Sequence, residues 1–307
     1  MPRRSASYIA SSLWRDAIGA LHVFKRNGER AVHKPLLTLM LLRQAALGES
    51  RVLSYREIEE PLARLLKEFG PSGRRPRPDY PFWHLQTDGI WVVRDAESIP
   101  LRKSGSNPRV TVLRDRDVAG EVPQELWDAV LNDERLREEL IDQVLFDFWP
   151  ETLHASIRAA IGLPDLGVRG GRERARRDPK FRREILRAYE YQCAVCGYDG
   201  RLDDEVLALE AAHIRWHCEG GPDEIDNGLA LCSFHHNAFD RGGFGLDPAG
   251  RILISRSLHG GEAVTRWLGQ FAGASFRGPQ TGLPPPAERH LTWHREQVFR
   301  APARGIA

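Results

Sequence analysis

The sequence predicts an α+β protein with a mainly helical N-terminal domain and a C-terminal domain that contains strands. The chain has 307 residues, enough for two hydrophobic cores. Apolar residues follow helical spacing through much of the first half, most densely at 36–42. The stretch 205–243 instead predicts a strand, a GGPD turn, a second strand and a short helix. We expect domains at 1–165 and 181–307, joined by a basic linker at 166–180.

Composition excludes few classes of function. Lys and Arg number 44 against 42 acidic residues, so the net charge of +2 indicates no particular partner. Three of the four cysteines have metal-like spacing, which favours a reducing compartment without disulfides. No apolar run reaches the roughly 18 residues of a membrane span. We therefore expect a soluble, cytoplasmic protein.

Helices account for most of the N-terminal half. The second helix carries Pro35 in its first turn and ends near Gly48. Ser54 and Glu57 form a capping box that starts the third helix. Between these helices and the next ones, we expect a strand–turn–strand through Asp88-Gly89. The expected helices cover 8–26, 35–47, 54–69, 123–130, 132–148 and 150–161.

Cationic residues collect at three places in this half. His33 and Lys34 come just before a helix N-terminus, where the backbone N–H groups and the helix dipole favour anions. Two proline-, glycine- or serine-containing loops are basic and suited to phosphate contacts. The residues of interest in these loops are Arg74, Arg75 and Arg77 in the first and Lys103, Ser106 and Asn107 in the second.

The linker region is also basic. From Arg169 to Arg187 there are nine Lys or Arg against three acidic residues. Such a run either follows a nucleic-acid backbone or forms a solvated tether. The sequence does not separate these alternatives.

Three residues of the C-terminal domain suit phosphodiester hydrolysis. That reaction needs an activated water, neutralisation of charge in the transition state and help for the leaving oxygen. A histidine supplies the first and a divalent cation the others. His213 ends the first strand, on the face of Leu207, Leu209 and Ala211. His236 and Asp240 are four apart on the helix and share a face, so they are candidate metal ligands.

A second metal site is indicated by cysteine spacing. Cys193 and Cys196 form one pair, and Cys232 with His235 forms another, in a C-x2-C-x35-C-x2-H pattern that suits tetrahedral zinc. The alternative is three small buried thiols. Since His235 and His236 project about 100° apart on a helix, they can serve different metals. Cys218 lies in the loop and is not an expected ligand.

The stretch 181–247 resembles an HNH (ββα-metal) nuclease domain. The resemblance rests on the order EAAHI, GG, NGL, LCSFHH and FD, with His213, Asn227 and His236 within 24 residues. It implies that His213 is the general base and that His236 binds Mg²⁺ or Mn²⁺, with Asp240 as a second ligand. Asn227 either fixes the loop and orients His213, or approaches the metal.

One position departs from that family's pattern. Many HNH proteins place an aspartate ligand directly before the first histidine, where this chain has Ala212. Glu210 is the nearest acid, but the alternation of the strand turns it to the face opposite His213.

The stretch 10–160 resembles the sulfur-binding domain of phosphorothioate-dependent, McrA-type HNH restriction endonucleases. The resemblance rests on HKPLL, YPFWHL…GIW and a basic SGSNP loop. A phosphorothioate keeps its charge but carries a large, weakly hydrated sulfur, so recognition requires an apolar depression beside cations. The resemblance implies that the pocket and its charge come from His33, Lys34, Tyr80, Pro81 and His84, with Lys103, Ser106 and Asn107 contacting neighbouring DNA. Core packing of the aromatic residues is the alternative.

The resemblances imply a metal-dependent, type IV endonuclease that cuts phosphorothioated double-stranded DNA, with a homodimer plausible because two strands are cut. One alternative is a nuclease specific for a modified base such as 5-methylcytosine, gripped between Tyr80 and Trp83. Another is a non-catalytic zinc-containing DNA-binding protein.

Overall fold

The computed structural model describes residues 6–21, 32–103, 105, 107–163 and 179–305. The chain divides into two compact units. The first comprises Met1–Phe148 and His154–Arg172, and the second comprises Trp149–Leu153 and Glu173–Ala307. Helices and short antiparallel strands occur in both units, which confirms the α+β fold class.

Helix α2 forms the centre of the first unit. Leu36, Leu39 and Leu42 are fully buried on it, and it packs against α3, α4, α6 and α7. The capping box predicted at Ser54 and Glu57 begins α3. The helices of this part of the chain are α1 (Ala6–Ala20), α2 (His33–Ala46), α3 (Tyr55–Phe69), α4 (Asp79–His84), α5 (Val110–Asp115), α6 (Gln124–Asn132), α7 (Glu134–Phe148) and α8 (Glu151–Ile161).

A three-stranded antiparallel sheet accompanies these helices. Its strands are β1 (Val52–Ser54), β2 (Val92–Val93) and β3 (Ala119–Glu121), in the order β1-β3-β2. The Trp91 indole lies directly over Gly120, where a Cβ atom would come within 2.2 Å of the ring. Its Nε1 donates to the carbonyl oxygen of Phe82 at 2.9 Å. Trp91 therefore joins the sheet to α4.

The expected strand–turn–strand through Asp88-Gly89 is wrong. Tyr80 to His84 belong to α4, a 3₁₀ turn follows at Leu85–Asp88, and only Val92–Val93 is extended. The adjacent residues Phe82 and Trp83 are both buried, which a half-buried strand does not allow because its side chains alternate between faces.

The second unit is organised around a β-hairpin between two helices. Strands β6 (Leu209–His213) and β7 (Gly228–Cys232) pair antiparallel, with Leu209 opposite Cys232 and His213 opposite Gly228. Helix α9 (Pro179–Ala188) and helix α10 (Ser233–Asp240) both pack against this hairpin. The other elements are β4 (Arg201–Leu202), β5 (Glu205–Val206), β8 (Phe244–Leu246), β9 (Ile252–Ile254), α11 (Glu262–Trp267) and α12 (Glu288–Gln297).

The strand that leads to His213 is shorter than expected. Ala208 has a positive φ of 51°, which separates β5 from β6. Leu207 therefore does not share the inner face with Leu209 and is half exposed. Ala211 and His213 remain in the same strand as Leu209.

The close packing of Trp91 on Gly120 gives a stability prediction. Gly120→Ala inserts a methyl group into the indole and should lower the free energy of unfolding by about 1–3 kcal/mol. Gly19→Ala is the matched control, because a Cβ there meets nothing within 4 Å and an alanine inside α1 should raise stability by about 0.5–1 kcal/mol. Urea unfolding of the full chain measures both variants. A wild-type midpoint for Gly120→Ala would contradict this packing account.

Candidate active site and nucleic-acid interface

His213 lies at the end of β6, between an aromatic ring and a carboxylate. Its imidazole stacks on the ring of Phe181 from α9, with centroids 4.1 Å apart and planes 14° apart. Its Nε2 is 2.7 Å from Oδ1 of Asp223. Phe181 thus fixes the plane of the ring, and Asp223 provides a carboxylate partner. Sequence reasoning missed Asp223, because the GGPD segment indicated only a turn.

Asn227 fixes the loop that follows His213. Its Oδ1 accepts the backbone N–H of Arg215 at 2.8 Å, and its Nδ2 donates to the carbonyl oxygens of Arg215 and Pro222 at 3.0 and 2.9 Å. Gly221 permits this closeness, since a Cβ would be 1.8 Å from the Arg215 carbonyl oxygen. The geometry favours the loop-fixing alternative for Asn227.

His236 lies between two carboxylates. Its Nδ1 is 2.6 Å from Oε2 of Glu210, and its Nε2 is 3.2 Å from Oδ2 of Asp240. Burial alone would lower the pKa of His236, but the attraction of Asp240 and hydrogen bonds to Asp240 and Glu210 raise the pKa to about 9. The two carboxylates thus favour a positive charge at this position.

Glu210 is the residue that sequence reasoning set aside. It does lie on the strand face opposite to that of His213, but α10 covers that face. The side chain consequently contacts both Ser233 and His236 of α10. Asp240, four residues after His236, is buried and accepts from Trp216 and Thr152 as well.

The four expected ligands of the second metal site converge. The ligand atoms of Cys193, Cys196, Cys232 and His235 all lie within 4.8 Å of one another. His235 Nδ1 is 3.5 Å from Cys193 Sγ and 3.1 Å from Cys232 Sγ. Within the described ranges this group can hold a metal ion, and Cys218 is not part of it.

Electrostatics of this group favour a cation at its centre. Hydrogen bonds from the thiols of Cys196 and Cys232 hold the pKa of the Cys193 thiol far below its ordinary value. Burial would lower the pKa of His235, but the neighbouring thiol groups raise it to about 9. Nε2 of His235 lies 2.9 Å from the carbonyl oxygen of Trp267. If Nε2–H donates to that oxygen, Nδ1 faces the sulfur atoms, as in metal-binding histidines.

The expected sulfur-pocket residues meet where α2 and α4 contact. The ring of Tyr80 is 6.3 Å from that of His33 and 4.4 Å from that of His84. Tyr80 is 48% exposed, whereas Pro81 is buried. Burial, assisted by the charge of Lys34, lowers the pKa of His84, which keeps its ring neutral near pH 7. Tyr80 is therefore accessible to a ligand, whereas Pro81 is not.

Lys34 pairs with Asp88, a residue that the sequence indicated only as part of a turn. Its ammonium group is 2.5 Å from Oδ2 of Asp88 and 3.1 Å from Oγ1 of Thr87. Asp88 is nearly buried, so the pair is partly shielded from solvent. The cation expected to neutralise the DNA is thus positioned, and partly balanced, by Asp88.

The two basic loops share one buried carboxylate. Arg77 makes two hydrogen bonds to Asp79, at 2.9 and 2.7 Å. Arg102, in the second loop, places Nη2 3.7 Å from the same carboxylate. A cavity of about 520 Å³ opens here, and Arg75 and Arg114 also line it.

Other expected contact residues lie around these loops or outside the described part. Lys103 is exposed, as are Arg74 and Arg75, and Asn107 is partly exposed. Ser106 lies outside the described residues, as do positions 164–178, which contain nearly all of the expected linker. In the part of the chain that the structure describes, no helix is long and apolar enough to cross a membrane.

Three solved structures are similar to part of this chain. The sulfur-binding domain of ScoMcrA complexed with phosphorothioated DNA is 21% identical, over 49% of this chain and 94% of that one, with a TM-score of 0.44. The Type IV phosphorothioation-dependent restriction endonuclease ScoMcrA is 19% identical, over 51% of this chain and 28% of that one, with a TM-score of 0.40. The sulfur-binding domain of SprMcrA complexed with phosphorothioated DNA is 24% identical, over 43% of this chain and 81% of that one, with a TM-score of 0.35.

The match to ScoMcrA spans little more than a quarter of that protein. No curated protein matches the chain.

Family models match both halves of the chain. Residues 193–247 match the HNH endonuclease model, which includes His213, Asn227 and His236. The chain therefore contains an HNH endonuclease domain. Residues 11–166, just over half of the chain, match the ScoMcrA-like DNA sulfur-binding domain. The chain belongs to the family of ScoMcrA-like proteins with a DNA sulfur-binding domain.

Proposed function

We propose that this chain is a metal-dependent endonuclease that recognises phosphorothioated double-stranded DNA and hydrolyses phosphodiester bonds nearby, as in type IV restriction. One observation carries the proposal: a DNA sulfur-binding domain and an HNH endonuclease domain occur in the same chain. The first supplies recognition of a modified backbone, and the second supplies hydrolysis. Because both strands must be cut, a homodimer is the assembly we favour.

The hydrolytic step uses His213 as general base. The imidazole accepts a proton from the attacking water, and Asp223 stabilises the imidazolium that forms. Stacking on Phe181 keeps the ring in one plane during the transfer. Asn227 holds the following loop through three hydrogen bonds, so the base does not drift from the scissile bond.

A divalent cation, Mg²⁺ or Mn²⁺, would neutralise the charge of the transition state and assist the leaving oxygen. The residues fit such an ion, because His236 lies between two carboxylates, which favour a positive charge there. His236 and a carboxylate beside it would hold the ion. The side-chain amide of Asn227 is occupied by hydrogen bonds to the loop, so Asn227 is not a ligand of this ion.

The Cys193, Cys196, Cys232 and His235 group would hold a structural zinc ion. Three sulfur donors and one imidazole are a tetrahedral set that zinc prefers. The group is closed, since three of its members are buried, which suits a structural rather than a catalytic site. Zinc here would fasten the start of α10 to the turn at Cys193.

Recognition of the modified backbone relies on Tyr80. Both kinds of DNA carry the same charge, so contacts from the two basic loops stabilise both complexes similarly. The sulfur differs by its size and weak hydration, and an exposed aromatic ring beside a neutral imidazole offers it an apolar contact. Lys34, fixed by Asp88, and His33 supply positive charge beside that contact.

Cleavage by the full chain tests the proposal. With Mg²⁺ or Mn²⁺, we expect phosphorothioated duplex to be cut and the matched unmodified duplex to survive. His213→Ala should lower the cleavage rate about 10²–10⁴-fold, since the general base is lost. His259→Ala, which changes an exposed histidine of the same unit, should cut normally. Cleavage only of duplexes that contain 5-methylcytosine would support the modified-base alternative and reject ours.

Metal content tests the zinc assignment. We expect one equivalent of zinc per purified chain, measured by elemental analysis. Cys232→Ala should lose the zinc and unfold the second unit, because structural zinc binding is coupled to folding. Cys218→Ala, outside the ligand group, should keep the zinc. An active, folded wild-type protein without zinc would reject the assignment.

Discrimination between the two duplexes tests the role of Tyr80. In binding assays without added Mg²⁺ or Mn²⁺, Tyr80→Ala should reduce the preference for phosphorothioated DNA by about tenfold or more, the equivalent of about 1.4 kcal/mol. Tyr80→Phe keeps the ring and should keep the preference. Affinity for unmodified DNA should change little in either variant. An unchanged preference in Tyr80→Ala would move the sulfur contact elsewhere.

A further inference from the structure

The His236 cluster contains two carboxylates that differ in what else they contact. Asp240 is 2% exposed, and both of its oxygens are engaged. Oδ1 accepts from Trp216 Nε1 at 2.9 Å, and Oδ2 accepts from Thr152 Oγ1 at 2.5 Å while lying 3.2 Å from His236 Nε2. At this burial an ion could reach the Asp240 carboxylate only if the surrounding side chains moved, and separating a buried donor from its acceptor is costly.

Asp240 is instead well placed to orient His236. A histidine that binds a metal through one ring nitrogen commonly donates the N–H of the other to a carboxylate. Nε2 of His236 faces the buried Asp240 carboxylate, so Nε2 would keep its proton while Nδ1 gives its lone pair to a metal ion. The hydrogen bonds from Trp216 and Thr152 keep the Asp240 carboxylate in the position that this requires.

Glu210 occupies the other side of the imidazole. Its side chain is 42% exposed, so ions, water and a phosphate group can reach it. Oε1 accepts from Ser233 Oγ at 2.7 Å, and Oε2 lies 2.6 Å from His236 Nδ1. Ser233 and His236 both belong to α10, so the helix fixes the carboxylate and the imidazole relative to each other.

The geometry points to Glu210 Oε2 and His236 Nδ1 as the two protein ligands of the catalytic cation, with Asp240 as a positioning residue. This deepens the proposed nuclease function and rests on it. One carboxylate and one imidazole suit a Mg²⁺ or Mn²⁺ ion, which keeps several waters and takes substrate phosphate oxygens as further ligands. The assignment replaces Asp240, the ligand expected from the sequence, with a residue three positions before His213.

Binding of Mn²⁺ to the full, zinc-loaded chain without DNA tests the assignment. The electron paramagnetic resonance signal of free Mn²⁺ gives the affinity. Glu210→Gln should weaken binding about 100-fold or more, whereas Asp240→Asn should weaken it about 10–100-fold, as typical for an outer partner. Unchanged affinity in Glu210→Gln overturns the inference. The inference is also overturned if Glu210→Gln retains its affinity for Mn²⁺ while Asp240→Asn loses it completely.

A thiolate exchange identifies the ligand directly. In Glu210→Cys, added Cd²⁺ should produce a new thiolate-to-metal absorption above that of wild-type protein treated identically, because thiolates favour softer metals. Asp240→Cys should produce none. If Asp240→Cys does not fold, the absence of the signal in Glu210→Cys alone contradicts the assignment. Mn²⁺ bound through Glu210 without cleavage of phosphorothioated DNA would remove the proposed function and leave this site standing.

Discussion

Helix α10 connects the two metal-binding candidates because of helical geometry. Adjacent residues project about 100° apart, so His235 turns to the cysteine group while His236 turns to Glu210 and Asp240. The cysteine group fixes the start of the helix, and the bonds of Asp240 to Trp216 and Thr152 fix its end. The position of His236 therefore depends on interactions at both ends of one eight-residue helix. One helix therefore carries residues of both candidate metal sites.

Buried acids position cationic or histidine side chains in both units. Asp88 holds Lys34, Asp79 holds Arg77 together with Arg102, and Asp240 holds His236. Each acid costs free energy to bury, and its partner offsets that cost. These pairs hold the side chains in place within each unit, and a side chain that is already ordered loses less entropy when it binds a ligand. Pairing each cation with an acid also lowers the net positive charge around it, so affinity for an anionic ligand must also come from shape and apolar contact.

The sequence predicted features that depend on local spacing. The capping box at Ser54, the helix of His236 and the cysteine–histidine group are all set by residues a few positions apart or by a known ligand pattern. Contacts that depend on which helix covers which strand face were not predictable. The strand face of Glu210 was inferred correctly, but its contact with His236 depends on the packing of α10 against that face. Likewise, the partner of His213 lies in a turn whose side-chain direction the sequence does not specify.

Exposure separates residues that act on a ligand from residues that support them. An ion, a water molecule or a DNA backbone must reach the group that binds it, so a fully buried side chain with satisfied hydrogen bonds is better suited to support. By this criterion Glu210 is the group suited to contact a ligand and Asp240 the group suited to support His236, although both flank the same His236 imidazole. Tyr80 and Pro81 differ in the same way, since the first is exposed and the second is buried. Sequence motifs place both members of each pair at the site, and only the burial of each side chain assigns the roles.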